Sequence, residues 1–152
     1  MNQDFKDLLE AFINAGVKFL IIGGYAVIKH SEPRYTKDID LWVAADIENA
    51  KRVFHALSQF GAPLGGLASE DFARPGYFYT MGRAPGRIDI LLDAKGLNFD
   101  ECWSRRSETA LGDLQISYIS RDDLIVNKEA VGRLQDLADA EKLRETRDKC
   151  QN

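Results

Sequence analysis

The sequence predicts a domain of mixed α and β structure, and three observations carry that prediction. Short apolar, strand-like runs such as Phe19-Leu20-Ile21-Ile22 alternate with stretches whose apolar residues recur at helical spacing. Glycine and proline mark the joins between them. The length of 152 residues, with 45% hydrophobic and 29% charged, suits one globular domain closing a single core over residues 1–152.

Taken in order, residues 3–15 place Phe5, Leu8, Leu9, Phe12 and Ile13 on one helical face, and Gly16 stands where the helix would stop. Residues 17–22 read as a buried strand that ends at Gly23-Gly24, ahead of a short helix-like segment reaching Lys29-His30-Ser31. A glycine pair lets backbone amides approach a phosphate, though it also makes an ordinary tight turn. After Pro33 the chain passes Arg34, Tyr35, Thr36 and Lys37 and enters a strand, Asp38-Ile39-Asp40-Leu41-Trp42-Val43. Strand side chains alternate, so Asp38 and Asp40 share a face about 6–7 Å apart. Two such carboxylates repel and need a cation, for which magnesium is the natural candidate; a bare edge-strand face is the alternative. Two hard cations about 3.5–4 Å apart would activate an attacking hydroxyl and stabilise a leaving oxygen.

Beyond this point residues 45–60 have a helical period with Asp46 as cap, and His55 reads as a surface residue. Residues 61–76 are rich in glycine and proline and read as a long irregular connection. Arg74, Phe72, Tyr77 and Tyr79 either stack on a base or pack as an aromatic strand. Residues 86–93 form a strand with Asp89 amid apolar neighbours, a costly position unless something binds it. Asp93 competes with it, but turn chemistry before Lys95-Gly96 explains Asp93. Residues 99–109 read as a short helix burying Trp103, with Arg105-Arg106 as a solvated face or an RNA-backbone contact, and residues 111–119 as a strand. Residues 121–147 are helical, with Leu124, Ile125, Val131, Leu134, Leu137 and Leu143 as the apolar stripe and Gly132 as a break. Lys128 falls on that inward face, where its stem packs while its ammonium reaches toward carboxylates or a triphosphate.

Composition excludes several classes. Nothing approaches the ~20 apolar residues of a membrane span and no basic-apolar leader opens the chain, so a cytoplasmic protein is expected. Cys102 and Cys150 are too few and too distant for a disulfide framework or zinc site and read as free thiols; two histidines cannot make a metal cluster. A net charge of −4 argues against non-specific coating of nucleic acid while leaving room for a local basic patch.

The order strand, Gly23-Gly24, helix, Arg34, Thr36, then Asp38-apolar-Asp40-apolar resembles the DNA polymerase beta-like nucleotidyltransferase superfamily. Within it, the pattern looks like the minimal nucleotidyltransferases and the AbiEii-type toxins. The resemblance runs from about residue 17 to 143 and is most specific between the glycine pair and Asp40. It implies a nucleotidyltransferase fold, a short mixed or mostly antiparallel sheet flanked by helices. It implies a magnesium- or manganese-dependent enzyme moving a nucleotidyl group from a nucleoside triphosphate, ATP among them, with pyrophosphate released. Asp38, Asp40 and Asp89 would then be the metal-binding, catalytic carboxylates, with Asp89 activating the acceptor. Gly23 and Gly24 would hold phosphates through backbone amides, Arg34 and Lys128 would neutralise the triphosphate, and Thr36 would order the loop or touch a phosphate. The pattern Asp123-Leu124-Ile125, Lys128, Arg133, Asp136-Leu137, Asp139 resembles the C-terminal motif of the toxin-like branch, which makes Asp136 the acidic partner of Lys128. Its plain alternative is an Arg133–Asp136 surface pair. Two departures stand out: Gly24 replaces a common serine, and the chain ends before the large acceptor-holding domain of many relatives. The acceptor implied is a tRNA 3′ end or a protein, in a toxin-antitoxin or homodimeric setting, or an antibiotic hydroxyl. A non-catalytic nucleotide- or partner-binding module is the alternative of a different class.

Overall fold

The computed structural model describes residues 1–151, with side chains through Thr146. Cys150, read as a free thiol, lies outside those side chains, whereas Cys102 is a buried free thiol. Strands β1 (Phe19–Ile22), β2 (Asp38–Val43), β3 (Phe78–Met81), β4 (Arg87–Leu91), β5 (Ser107–Leu111) and β6 (Leu114–Tyr118) form one sheet. Its order is β3-β4-β2-β1-β6-β5. Pairing is mixed: β2 lies antiparallel to β1 and parallel to β4, β6 lies parallel to β1, and β3–β4 and β5–β6 are antiparallel pairs.

Helices α1 (Gln3–Asn14), α2 (Gly23–His30), α3 (Ile47–Phe60), α4 (Phe99–Ser104), α5 (Arg121–Val131) and α6 (Leu134–Gln151) flank the sheet. Strand alternation divides the core. Ile39, Leu41, Val43, Ile88 and Ile90 pack with Phe5, Leu8, Phe12, Val53 and Leu57 of α1 and α3. Leu20, Ile22 and Trp42 point the other way, into a cluster with Ala26 and Val27 of α2, Leu124 of α5 and Leu143 of α6. Asp38 and Asp40 alternate with Ile39 and Leu41 and so belong to the second face, the one with α2, α5 and α6.

Several caps fix the element ends. Asn2, Asp46, Asn98 and Ser120 each accept a backbone N–H in the first turn of the helix that follows. Gly61 and Gly132 close α3 and α5 in the left-handed conformation, so Gly132 does divide the last helical stretch into two.

Three expectations are corrected. The helix read across 99–109 ends at Ser104, because Leu111 and Leu114 frame a tight Gly112 turn and draw residues 107–111 into a hairpin with β6. Trp103 is half-buried, with the Arg106 guanidinium 4.0 Å above its ring, and Arg105 makes two hydrogen bonds to Asp123, so neither arginine is a bare face. Val131, the last residue of α5, and Leu134 and Leu137 of α6 leave the apolar stripe; the turn at Gly132 resets the helical phase for the latter two, and Leu134 is 89% exposed. Of the aromatics in the 61–81 region, Phe72, Tyr77 and Tyr79 pack on one another, while Phe78 is exposed. Phe72 is buried against Tyr77 and Tyr79, and the Tyr79 hydroxyl donates to the Pro63 carbonyl at 2.8 Å. No helix among the described residues is long and apolar enough to cross a membrane.

Candidate active site

Sheet register brings the acidic residues together. β2 and β4 run parallel with Asp40 beside Asp89 and Asp38 beside Arg87, so all four side chains leave the same face. They open into a cleft of ≈ 510 Å³ that Gly23, Gly24, Arg34, Thr36, Lys128 and Asp136 also line. Every residue singled out from the sequence as a site residue therefore borders one hollow. A second hollow of ≈ 600 Å³ between α1 and α3 is larger, but Asp4, Asp7 and Glu10 stand on its rim and no lysine or arginine is among the described residues that line it.

The glycine pair is held by sterics. Gly23 has φ +69°, and a Cβ there would sit 2.1 Å from Asp40 Oδ2. A Cβ on Gly24 would lie 2.6 Å from Thr36 Oγ1. Both positions must be glycine for Asp40 and Thr36 to stand where they do. The N-cap of α2 is Ile22, which offers no side-chain acceptor, and Gly23 and Gly24 in the first turn of α2 line the cleft. Thr36 itself donates to the Asp38 carbonyl at 3.3 Å, tying the loop to the start of β2.

The strand carboxylates are crowded. Burial first, then the hydrogen bond and charge of Asp89 and the charge of Asp38, push the Asp40 carboxyl up to about 7, against the pull of Lys128. Asp38 Oδ1 is buried with no hydrogen-bond partner. Arg87 bridges the group, its guanidinium 2.9 Å from Asp38 Oδ2 and 3.3 Å from Asp89 Oδ2. Thr80 on β3 donates to Asp89 Oδ1 at 2.8 Å. Asp93 lies beyond the end of β4, exposed at the cleft rim.

Helices α5 and α6 supply the opposite wall. Lys128 is only 8% exposed, and its Nζ lies 3.3 Å from Asp136 and 3.2 Å from Asp139 Oδ2. Arg34 reaches across from the loop before β2 to Asp139 Oδ1 at 2.6 Å, and Gln135 donates to the same oxygen. Burial would raise both α6 carboxyls. Hydrogen bonds from Arg133 and Lys128 to Asp136, and from Arg34 and Gln135 to Asp139, outweigh it and hold each below the usual carboxylate range. The Arg133–Asp136 pair is thus real, yet it is one edge of a larger network that ends on Lys128 and Arg34.

A family model described as "Nucleotidyltransferase of unknown function (DUF6036)" matches residues 3–146. The chain belongs to this nucleotidyltransferase family. Among solved structures it is similar to the lincosamide antibiotic adenylyltransferase LnuA in its lincomycin-bound form. The TM-score is 0.59 at 17% identity, over 96% of this chain and 98% of that one. That likeness establishes a shared nucleotidyltransferase fold. No curated protein matches the chain by sequence.

The donor set of this nucleotidyltransferase suits a hard divalent cation. Asp38, Asp40 and Asp89 offer oxygen ligands only, and the orphaned Asp38 Oδ1 has spare acceptor capacity. Among the described residues no three acidic, histidine or cysteine side chains are already gathered as a metal-binding group. Arg87, standing between two of the carboxylates, supplies the positive charge in this arrangement.

Arg87 and Asp139 line the cleft and Thr80 contacts Asp89, but sequence reasoning gave none of the three a role, Asp139 standing only as the last residue of the C-terminal pattern. Arg87 is two positions before Asp89, and strand alternation alone puts both on one face. Asp139 follows Asp136 by three, a helical spacing that places them together. Thr80 carried no signal, because its contact depends on the β3–β4 register.

Proposed function

We propose that this chain, as one cytoplasmic domain, transfers a nucleotidyl group from a nucleoside triphosphate to an acceptor hydroxyl, using a divalent metal ion. The observation that carries the reading is the convergence of Asp38, Asp40 and Asp89 from adjacent strands onto the cleft that the Gly23-Gly24 helix start also borders. The triphosphate lies along the amides of Gly23 and Gly24, where the start of α2 favours negative charge. Arg34 and Lys128 approach it from the side, each oriented by Asp139. Asp136 fixes Lys128 further.

Asp38, Asp40 and Asp89 would hold the metal, magnesium or manganese, with Arg87 swinging off Asp38 and Asp89 to admit it. When bound, the ion neutralises the phosphoryl oxygens and acidifies the acceptor hydroxyl. Asp89, steadied by Thr80, takes the acceptor proton. The acceptor oxygen bonds to the α-phosphorus as the bond from that phosphorus to the α–β bridging oxygen breaks, and pyrophosphate departs.

The acceptor of this reading is a tRNA 3′ end or a protein side chain, in a toxin-antitoxin pair with an antitoxin partner or a homodimer. A small-molecule hydroxyl is the second reading. The likeness in fold to an enzyme solved with lincomycin bound is what suggests it, without setting it above the first. Incubation with each α-labelled triphosphate, magnesium or manganese, and total tRNA tests both. Label on RNA or protein that disappears in Asp40→Asn supports the first; label only on an added lincosamide supports the second. No label, with no stabilisation by triphosphate and metal, would leave a non-catalytic module.

A further inference from the structure

A separate cleft of ≈ 520 Å³ adjoins the carboxylate cleft and shares Arg34 and Thr36 with it. Its volume falls within the ~300–1,000 Å³ typical of small-ligand sites. Phe5 and Ile28 form the apolar floor, and Tyr25 is held upright by an edge-on contact with Phe5 at 5.8 Å between ring centres. Tyr35, 74% exposed, stands at the mouth between Arg34 and Lys37. Pro85, in the β3–β4 connection, closes the far side, and the next residue, Gly86, donates its amide to the Lys37 carbonyl at 2.9 Å.

Charge separates this cleft from the hollow beside α1. The chain is acidic, at −4, and the hollow beside α1 is rimmed by Asp4, Asp7 and Glu10. No carboxylate is among the described residues that line the Tyr35 cleft, whereas Arg34 and Lys37 are. An exposed aromatic side chain in a cleft also lined by Lys37 and by Arg34, whose guanidinium is paired with Asp139, suits a flat base joined to a phosphate. A peptide acceptor would gain little from paired cations, and a neutral small molecule would have no use for Lys37.

We propose that the Tyr35 cleft is the acceptor subsite and that it receives the 3′-terminal nucleotide of a single-stranded RNA. The base stacks on Tyr35, Lys37 meets the preceding phosphate, and the terminal ribose hydroxyl passes over Arg34 and Thr36 toward Asp89. This inference rests on the nucleotidyl-transfer reading and selects among its acceptors.

Binding tests it without turnover. A short 5′-fluorescent oligoribonucleotide with a free 3′ hydroxyl is titrated against the full chain by anisotropy at several salt concentrations. Melting with triphosphate and magnesium is recorded in parallel. Tyr35→Ala is expected to weaken RNA binding about 10-fold, and Tyr35→Phe, which keeps the ring, to restore it. Lys37→Ala is expected to flatten the slope of log affinity against log salt by about 0.7. Stabilisation by triphosphate and magnesium should be the same in all three variants. RNA affinity that is undetectable in the unaltered protein, or equal in Tyr35→Ala, overturns the proposal; so does wild-type labelling of a protein or lincosamide by Tyr35→Ala. Absence of triphosphate-dependent stabilisation in every form defeats the nucleotidyl reading instead, and the RNA titration still decides the cleft.

Discussion

Two groups of carboxylates line one cleft, and the protein treats them in opposite ways. On β2 and β4, Asp40 is pushed up to about 7 by burial and by its acidic neighbours, and Asp38 keeps a buried oxygen with no hydrogen-bond partner. On α6, Asp136 and Asp139 are also shielded from solvent, yet Lys128, Arg133, Arg34 and Gln135 hold both below the usual range. Burial alone therefore does not decide the state of a carboxylate; its partners do. The α6 pair is matched by cations, a scaffold that orients Lys128 and Arg34; Asp139 Oδ2, without a hydrogen bond of its own, lies 3.2 Å from Lys128 Nζ, whereas Asp38 Oδ1 and the raised Asp40 carboxyl have no such match. The strand group is incomplete, and an incomplete cluster of acids is what a ligand of opposite charge would complete.

Substitution offers the sharpest way to break this contrast. Asp40→Asn should lower nucleotidyl transfer by about 10²–10³-fold or more, by analogy with loss of a single charge-stabilising group. Its melting temperature without metal should not fall. Asp139→Ala should do the reverse in stability, costing about 3 kcal/mol in urea unfolding, because Arg34 loses its partner and the buried Lys128 keeps Asp136 alone. Equal destabilisation by the two would erase the distinction between the groups.

Acidity provides a second handle. Asp40 has a folded-state value above its ordinary 3.8, so the folded form binds its proton more tightly than the unfolded form. The stabilisation is complete below the ordinary value and is lost as pH rises toward about 7. Asp136 and Asp139, with lowered values, contribute in the other direction, losing their stabilisation as pH falls below the ordinary carboxylate range. Between pH 4 and 7, metal-free protein should lose stability relative to Asp40→Asn as pH rises. A constant difference in melting temperature across that window would contradict the assignment. The smallest effect expected is that of Thr80→Val, which removes the hydrogen bond to Asp89 Oδ1; transfer should drop about 10-fold with triphosphate binding unaltered.

The same contrast explains what the sequence made legible. Asp38 and Asp40 announced themselves through alternation within one strand, and Gly23-Gly24 through the break between an apolar run and a helix. Lys128 was recognisable because a lysine on an apolar helix face is anomalous. These are local signals, and each survives without knowledge of the partner. The pairing of Asp40 with Asp89 and the reach of Thr80 required strand register, which no spacing along the chain encodes. Arg34 could be assigned a charge but not a partner, since Asp139 lies 105 residues away. The hairpin of β5 and β6 was hidden for another reason: residues 107–111 alternate weakly, and the turn at Gly112 joins them to a strand whose own signal was stronger. The α6 stripe misled because a helical period continued across Gly132 no longer holds once the left-handed residue changes the axis.

Direct metal titration by calorimetry of the unaltered protein, Asp40→Asn and Asp136→Asn, each verified as folded, tests the central claim that the strand carboxylates are the ones awaiting a ligand. Magnesium or manganese should bind the unaltered protein and Asp136→Asn and release no binding heat with Asp40→Asn. Binding that persists in Asp40→Asn, or that disappears only in Asp136→Asn, would place the cation on the helix side and contradict the account.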